Sequence, residues 1–574
     1  MLTNKGFSKI CEEFAELMEL KGDIRFKIIA YQKASRAIND LPKPLVEIYE
    51  EGGVKALEEI DGIGEGIAEK IEEYIKTGKI KELEKLKNNF PKSEINYLKI
   101  PGVGPSTSKI LFDKFGSGSI ETLSTKLSKG GHKVFQEKTL KKILRGIEIY
   151  KNLGDRMLLS EAMEISEPIV KYIEEKCFGE KVEAVGSLRR RKETIGDIDI
   201  IATSRNKRKT IELFSKYSEL EQIIAKGDTK LTGILKNSKQ VDLEILEDKK
   251  YGSLLLHFTG SKQHNVALRS FAQKKGLSIS EHGIKNEKTG KPTLYSSEKD
   301  VYEMLDLKFI EPELREDRGE IEAALEGQLP NLVELSDIRG DLHIHSKFSD
   351  GLASVEELAK KALELKYEYI AIADHTESLG IAGGANEGKF LARRKEIEAV
   401  RKKFPNLKIL DSCEVNIMSD GALDMKDEFL KSFDVVTASI HSGFSQSKEQ
   451  ITERLISSIN NPFVDIIAHP TGRILNHRPG YEADWEEIFA ACKKNKVALE
   501  INSHPNRLDL VDYLIIEAKK SNLLFAINTD LHSLGEFDNI RLGVYTARRG
   551  WLEKKDIINC MSYEKLKQCL RKKI

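Results

Sequence analysis

The chain has no excess of either charge: 92 Lys and Arg stand against 92 Asp and Glu in 574 residues. A basic field over the whole molecule is excluded, so contact with a polyanion has to come from local patches. No apolar run approaches about eighteen residues, and the start of the chain has no charged-then-apolar pattern. It therefore reads as neither membrane-spanning nor exported. The six cysteines, Cys11, Cys177, Cys413, Cys492, Cys560 and Cys569, make no Cys-x-x-Cys pair. That argues against a disulfide framework or a zinc finger and for a reducing cytoplasm. We expect a soluble cytoplasmic protein acting as a monomer.

What is present is ample apolar material, 40%, with 32% charged residues. The length exceeds one core and predicts about three to five domains. Histidine is unevenly spread: eight of twelve lie from His343 onward, which points to a metal site in the C-terminal third. Residues 101–150 carry nine Lys and Arg against four Asp and Glu, a candidate local patch and equally a solvated helical surface.

The stretch around which the chain is organised is Gly186-Ser187-Leu188-Arg189-Arg190-Arg191, followed by Gly196-Asp197-Ile198-Asp199-Ile200-Ile201. Asp197 and Asp199 alternate with Ile198 and Ile200, which predicts a strand with both carboxylates on one face. Like charges so placed call for cations between them. A second alternating run, Gln240 to Leu246, adds Asp242. Three carboxylates, a Gly-Ser turn and Arg190 are the parts of two-metal nucleotidyl transfer, with the turn and the arginine on the triphosphate. Alone, Asp-x-Asp is as readily the polar face of an edge strand.

The N-terminal stretch reads as helical, with a basic amphipathic helix from Arg25 to Ile38. Ile60-Asp61-Gly62-Ile63-Gly64-Glu65-Gly66 and Ile100-Pro101-Gly102-Val103-Gly104-Pro105 repeat one pattern: an apolar residue, Gly-x-Gly, then a helix start. Such glycines let backbone amides approach a phosphate. One copy reads equally as a tight turn; two favour binding to a nucleic-acid backbone.

This constellation resembles the nucleotidyltransferase superfamily, and within it the family X DNA polymerases of the polymerase beta type. The resemblance implies helical helix-hairpin-helix domains at residues 1–80 and 81–150. It places a nucleotidyltransferase palm at 151–250 and a nucleotide-binding thumb at 251–316. Asp197, Asp199 and Asp242 would be the catalytic carboxylates, holding two Mg²⁺ or Mn²⁺ ions. Gly186, Ser187, Arg190 and Gly196 would bind the nucleotide, together with Phe258, Gly260, Asn265 and Arg269 around Phe258-Thr259-Gly260-Ser261. That tetrapeptide alone would read as a hairpin turn. Lys27, Gly62, Gly64, Gly66, Gly102 and Gly104 would contact DNA. Lys70 falls on the Schiff-base lysine of a 5′-deoxyribose-phosphate lyase. The sequence departs from animal members at Gly66, at Gln240 and Glu244 (arginines there), and at His257 (a phenol there).

Residues 317–337 are polar, charged and interrupted by Pro330, and read as a linker carrying some helix. Beyond it, His343-Ile344-His345 puts two imidazoles on one side of a strand. Asp350, Asp374-His375, Cys413-Glu414, His441, His469 and Asp530-Leu531-His532 then mostly close further apolar runs. Strand-then-helix repeats with polar residues at strand ends describe an α/β barrel. This part resembles the PHP (polymerase and histidinol phosphatase) domain, placed at 338–574. The implied ligands are His343, His345, Asp350, His375, Glu414, His441, His469, Asp530 and His532, for up to three Zn²⁺ or Mn²⁺ ions.

The expected fold is thus multidomain, α+β and α/β. The expected activity is gap filling on gapped or primer-template DNA with deoxynucleoside triphosphates. The C-terminal domain would add a 3′→5′ exonuclease or an abasic-site endonuclease. Two alternatives are a nucleotidyltransferase acting on RNA ends or small molecules, and a DNA-end scaffold with a structural PHP domain.

Overall fold

Apolar residues spaced three and four apart build the first domain. Phe7, Cys11, Phe14 and Met18 line one face of the Asn4–Lys21 helix and are buried. They pack on Tyr31, Ala34 and Ile38 of the Arg25–Asn39 helix, with Phe14 and Tyr31 stacked at 4.7 Å. Each such buried aromatic contributes on the order of 2–3 kcal/mol. In the computed structural model the described residues run from 4 to 570. Residues 22, 40, 42–43, 61, 90–96, 98–99, 101–102, 117–118, 154–155, 281–282, 287, 289 and 291 fall outside that description. Gly102, and with it part of the second glycine motif, is among them. The second helical domain closes on Tyr97, Ile100, Leu111, Leu123, Leu127, Ile143 and Ile147.

The palm is a five-stranded mixed sheet in the spatial order Glu180–Ala184, Ile198–Thr203, Gln240–Leu246, Lys230–Leu235, Leu220–Lys226. The Ile198–Thr203 and Gln240–Leu246 strands run parallel, in a register that sets Asp199 directly opposite Asp242. The thumb packs the Lys262–Lys274 helix on a small antiparallel sheet, with Tyr302 and Leu305 in its core.

The C-terminal domain has seven parallel strands in chain order. They are Gly340–Ile344, Tyr369–Ile372, Lys408–Asn416, Val435–Ser439, Ile466–Ile467, Ala498–Asn502 and Phe525–Asn528. A parallel bridge between Ile344 and Leu531 brings the end of the chain's last turn of barrel back to the first strand. Such strands are covered on both faces and read as continuous apolar runs, as Ile370 to Ala373 does.

The expected linker is a packed strap. Its Glu320–Glu326 helix buries Ile321 and Ala324, and Val333 donates its N–H to Leu552 of the C-terminal domain at 3.0 Å. Its polar composition concealed this, because Glu320 is buried too, paired at 2.6 Å with His264 of the thumb. The two halves also share a core: Leu475, Leu508 and Leu542 join the buried cluster of the palm. All six cysteines are free thiols. Among the described residues no helix is long and apolar enough to cross a membrane.

Candidate functional site

In the palm, the predicted alternation is seen in the burial: Ile198 and Ile200 are buried, Asp197 is exposed and Asp199 and Asp242 are half-buried. Asp197 stands one residue before the strand that carries Asp199. Burial, then the charges of Asp197 and Asp242, push Asp199 up to about 6. Burial is the larger cause, and the like charges of the neighbouring carboxylates add to it. Asp242 accepts hydrogen bonds from Thr232 Oγ1 and, at 2.6 Å, from Gln240 Nε2. Gln240 therefore orients the third carboxylate.

The Gly-Ser turn is a single helical turn, Gly186–Arg189, following the Glu180–Ala184 strand. Gly186 has φ +66°, and a Cβ there would lie 3.4 Å from Asp199 Oδ2. The turn thus needs glycine for its backbone and lies directly against the carboxylates. Arg190 is not a spare cation: Nε donates to Glu316 Oε1 at 3.1 Å and Nη1 donates to the Thr259 carbonyl. Arg189 donates to Thr259 Oγ1 at 2.7 Å and to Glu298 at 2.8 Å. Both arginines therefore tie the Gly-Ser turn to Phe258-Thr259-Gly260-Ser261. That tetrapeptide is a turn between the helices Tyr251–Thr259 and Lys262–Lys274, not a hairpin between strands. Asn265 donates to the His257 carbonyl at 2.9 Å, and Arg269 is exposed on the same helix. Gly196 is exposed, and a Cβ there would stand 3.0 Å from Arg156 Nη1.

The described parts of the two glycine motifs match. Ile63 N–H donates to the Ile60 carbonyl at 2.9 Å, and Val103 N–H to Ile100 at 2.9 Å. Gly64 (φ −87°, ψ 168°) then caps the Glu65–Thr77 helix, and Gly104 (φ −89°, ψ 175°) caps Pro105–Phe115. Neither cap has a side chain to satisfy the first helical amides, and both cap glycines are exposed. Gly62, at φ +91°, packs against Ala37 and the Lys33 carbonyl of the basic helix, on which Lys27 is exposed. Gly66 is exposed. Lys70 Nζ donates to the Gly66 carbonyl at 3.0 Å and pairs with Glu82 at 2.9 Å.

The C-terminal site is more fully assembled. Three overlapping groups each bring their ligand atoms within 4.8 Å of one another: His345, Asp350, His375 and His532; His343, His345, Glu414 and Asp530; His375, Glu414 and His441. His469 joins through Nε2, 3.0 Å from Glu414 Oε1. All nine expected ligands are therefore contiguous. Each sits within or just after a barrel strand or on the loop that follows it, because parallel strands of one handedness deliver their C-terminal ends to one face. His469 and Asp530 hold φ of +30° and +55°, uncommon for non-glycine residues and frequent at functional sites.

The donor set fits divalent cations. His343 Nε2, His345 Nδ1, His375 Nδ1, Glu414 Oε2 and His469 Nδ1 are fully buried without a hydrogen-bond partner. His375 Nδ1 and Glu414 Oε2 lie 2.6 Å apart yet lack hydrogen-bond geometry, as two ligands aimed at a common ion would. Burial, with His532 and His375 nearby, pushes His345 down to about 4, toward the neutral form a ligand needs.

Sequence reasoning missed the groups behind these ligands. Glu500, fully buried, lies 2.8 Å from His343 Nδ1 and accepts from His469 N–H at 2.8 Å and Asn502 at 3.0 Å. It fixes His343 with Nε2 facing the site. Its signal was a lone carboxylate in the apolar run Ala498 to Ile501, the one strand to which no ligand had been assigned. Arg393, also fully buried, donates to Asp374 at 2.8 Å and Asp411 at 2.6 Å, and Asp374 holds Ser346 N–H at 2.8 Å. A cavity of about 380 Å³ opens over the ligands. Arg478, stacked on Phe444 at 3.7 Å, and Arg507 line it, as do Gln32 and Lys33 of the N-terminal basic helix. Arg473 faces away and pairs with Glu193 of the palm at 2.9 Å.

Three parts of the chain match known protein families. Residues 2–80 match a helix-hairpin-helix domain, 254–316 the DNA polymerase beta thumb, and 341–504 the PHP domain. The chain is 35% identical over 573 residues to the DNA polymerase/3′-5′ exonuclease PolX of Bacillus subtilis (strain 168), covering 99% of each. It is 26% identical over 341 residues to DNA polymerase lambda of Rattus norvegicus, 54% of this chain and 56% of that protein. A probable phosphatase of Acetivibrio thermocellus matches at 30% over 213 residues, 35% of this chain and 83% of that one. With palm, thumb, paired hairpins and barrel all in their expected order and one relative aligned end to end, the chain belongs to the family X DNA polymerases that carry a C-terminal PHP domain.

Proposed function

We propose that the chain fills short gaps in DNA from deoxynucleoside triphosphates, as part of base excision repair, and removes nucleotides from 3′ ends with its PHP half. The observation that carries the first activity is the Asp199–Asp242 register beneath Gly186, with the thumb turn tied to the same place by Arg189 and Arg190. Asp197, Asp199 and Asp242 would hold two Mg²⁺ or Mn²⁺ ions, which when bound neutralise the charge that develops as the primer 3′-oxygen replaces pyrophosphate at the α-phosphate. The chain's own part is positioning. The Gly186–Arg189 turn receives the triphosphate, Phe258 lies under the sugar, and Gln240 keeps Asp242 aimed. The uncapped amides at Gly64 and Gly104 hold the two sides of the gap by their backbones, without reading bases.

In the PHP half, the nine ligands would hold up to three Zn²⁺ or Mn²⁺ ions, which when bound supply hydroxide near neutral pH and share the phosphoester's charge. Arg478 and Arg507 line the cavity over these ligands and would bind the phosphate. Cleavage on the 5′ side of an abasic site is a second reading of the same cavity.

Lys70 belongs to the lyase reading. Its amine has to leave Glu82 before it attacks a sugar aldehyde, so borohydride trapping on a deoxyribose-phosphate end tests that role separately.

Extension of a gapped primer with all four deoxynucleotides tests the main reading. Asp197→Ala and Asp199→Ala should each abolish it. His343→Ala with His345→Ala should remove the nuclease and leave extension.

A further inference from the structure

Arg190 joins the phosphate turn to the thumb turn, and a Cβ at Gly260 would stand 3.0 Å from its Nη1, so the two turns are pressed together through this guanidinium. Glu316, at the end of the thumb, holds Arg190 Nε at 3.1 Å. The same Glu316 oxygen accepts at 3.0 Å from Nη1 of Arg549, on the Ile540–Arg549 helix of the C-terminal domain. That Nη1 also donates to the Arg190 carbonyl at 2.8 Å. Arg549 Nη2 is held by Asp512 at 2.6 Å, and Asp512 takes Arg318 of the strap at 3.3 Å.

Only 4% of the Arg549 side chain and 10% of the Glu316 side chain are exposed. A planar fork clamped at one end by Asp512 therefore fixes Glu316 and the backbone of Arg190 at the other. Nothing in the nuclease chemistry uses Arg549: it lies outside the ligand groups and outside the cavity above them.

We propose that Arg549 of the PHP half is a positioning residue for the polymerase reaction. It acts through Glu316 and the Arg190 carbonyl to hold the phosphate turn and the Phe258-Thr259-Gly260-Ser261 turn in register for the incoming triphosphate. It touches no substrate. Without it, Glu316 keeps one close arginine instead of two, the Arg190 carbonyl loses its donor, and Arg190 is free to turn from Thr259. The inference rests on the polymerase reading and deepens it: the nuclease domain supplies part of the nucleotide-binding geometry.

Steady-state gap filling by full-length Arg549→Leu, Arg549→Lys and Glu316→Gln tests it, with 3′→5′ exonuclease rate and thermal midpoint as controls. Arg549→Leu should raise KM for the deoxynucleotide about ten- to thirtyfold, with kcat within about threefold and the exonuclease rate unchanged. Arg549→Lys, which keeps the charge without the fork, should lie between. Arg549→Leu with Glu316→Gln should be no worse than the more severe single variant, since both break one relay.

A wild-type KM in folded Arg549→Leu overturns the inference. So does a fall in kcat at constant KM, the mark of a merely structural role, or effects that multiply in the double variant. If Arg549→Leu does not fold, Arg549→Lys and Asp512→Asn decide by the same KM criterion. Failure of the wild type to extend at all, or extension that survives Asp242→Ala, would remove the polymerase reading itself.

Discussion

The palm and the PHP barrel both gather carboxylates, but to different degrees. In the palm, Asp197 is exposed, Asp199 and Asp242 are half-buried, and the three do not form one of the tight ligand groups found among the described residues. In the barrel, eight of the ligands fall into groups spanning 4.8 Å, His469 adjoins them, and their atoms are mostly sealed from water. Open carboxylates can repel one another, stay hydrated, and take up ions together with a triphosphate that brings its own charge. Sealed imidazoles and carboxylates lack that freedom, because unpaired buried polar atoms are costly and a resident cation offsets the cost. The palm carboxylates are therefore partly open to solvent, whereas the barrel's donor atoms are mostly sealed from it.

The largest expected effect would separate the two. Asp242→Ala should lower gap filling on the order of 10³-fold or more, with the exonuclease rate unaltered. A comparable loss of both activities would show that the sites are not independent. Within the barrel, Glu500→Gln should weaken metal binding about ten- to a hundredfold by releasing His343, read by competition with a chelator without any activity assay. Unchanged affinity would mean that His343 is held by packing alone.

The hairpins sharpen the contrast from the DNA side. A Cβ at Gly64 or Gly104 would meet nothing within 4 Å, and both have negative φ, so valines there fit the fold. Gly64→Val with Gly104→Val should weaken DNA binding about tenfold, equally for unrelated sequences. A sequence-dependent loss would contradict backbone recognition.

The smallest effect concerns the seam between the halves. Although burial works against it, Arg549 and Arg318 hold Asp512 at about 2, below the ordinary carboxylate range. A depressed carboxylate stabilises the fold above its unfolded pKa, and that stabilisation fades as pH falls through the folded value. Asp512→Asn should lower the thermal midpoint by about 2–4 °C near neutrality. The difference from wild type should shrink between about pH 4 and pH 2. A difference that grows on acidification would reverse the assignment.

Much of the molecule was legible because its chemistry is local. The alternation at Ile198-Asp199-Ile200, the paired Gly-x-Gly turns and the histidines at strand ends each carry their meaning within a few residues. The periods of strand and helix fix which side chains share a face. The burial of Ile198 and Ile200 follows from that period, and the matching backbones at Gly64 and Gly104 from the repeated Gly-x-Gly pattern. What lay out of reach depends on partners far away in the chain. Glu500 behind His343, 157 residues apart, could not be told from any carboxylate in an apolar strand. The strap at 317–337 looked like a linker because Glu320 is polar, and only the fold supplies His264 to pair with it. Nothing near Arg190 in the chain announces its pairing with Glu316 and Thr259, and Arg549 has no visible tie to a site 359 residues earlier. Sequence by itself determined which residues could do chemistry, because spacing and residue type set what a strand end or a turn presents. Tertiary structure alone decided which charges are paired and which remain available, because a buried ion finds its partner wherever packing brings one, at any separation along the chain.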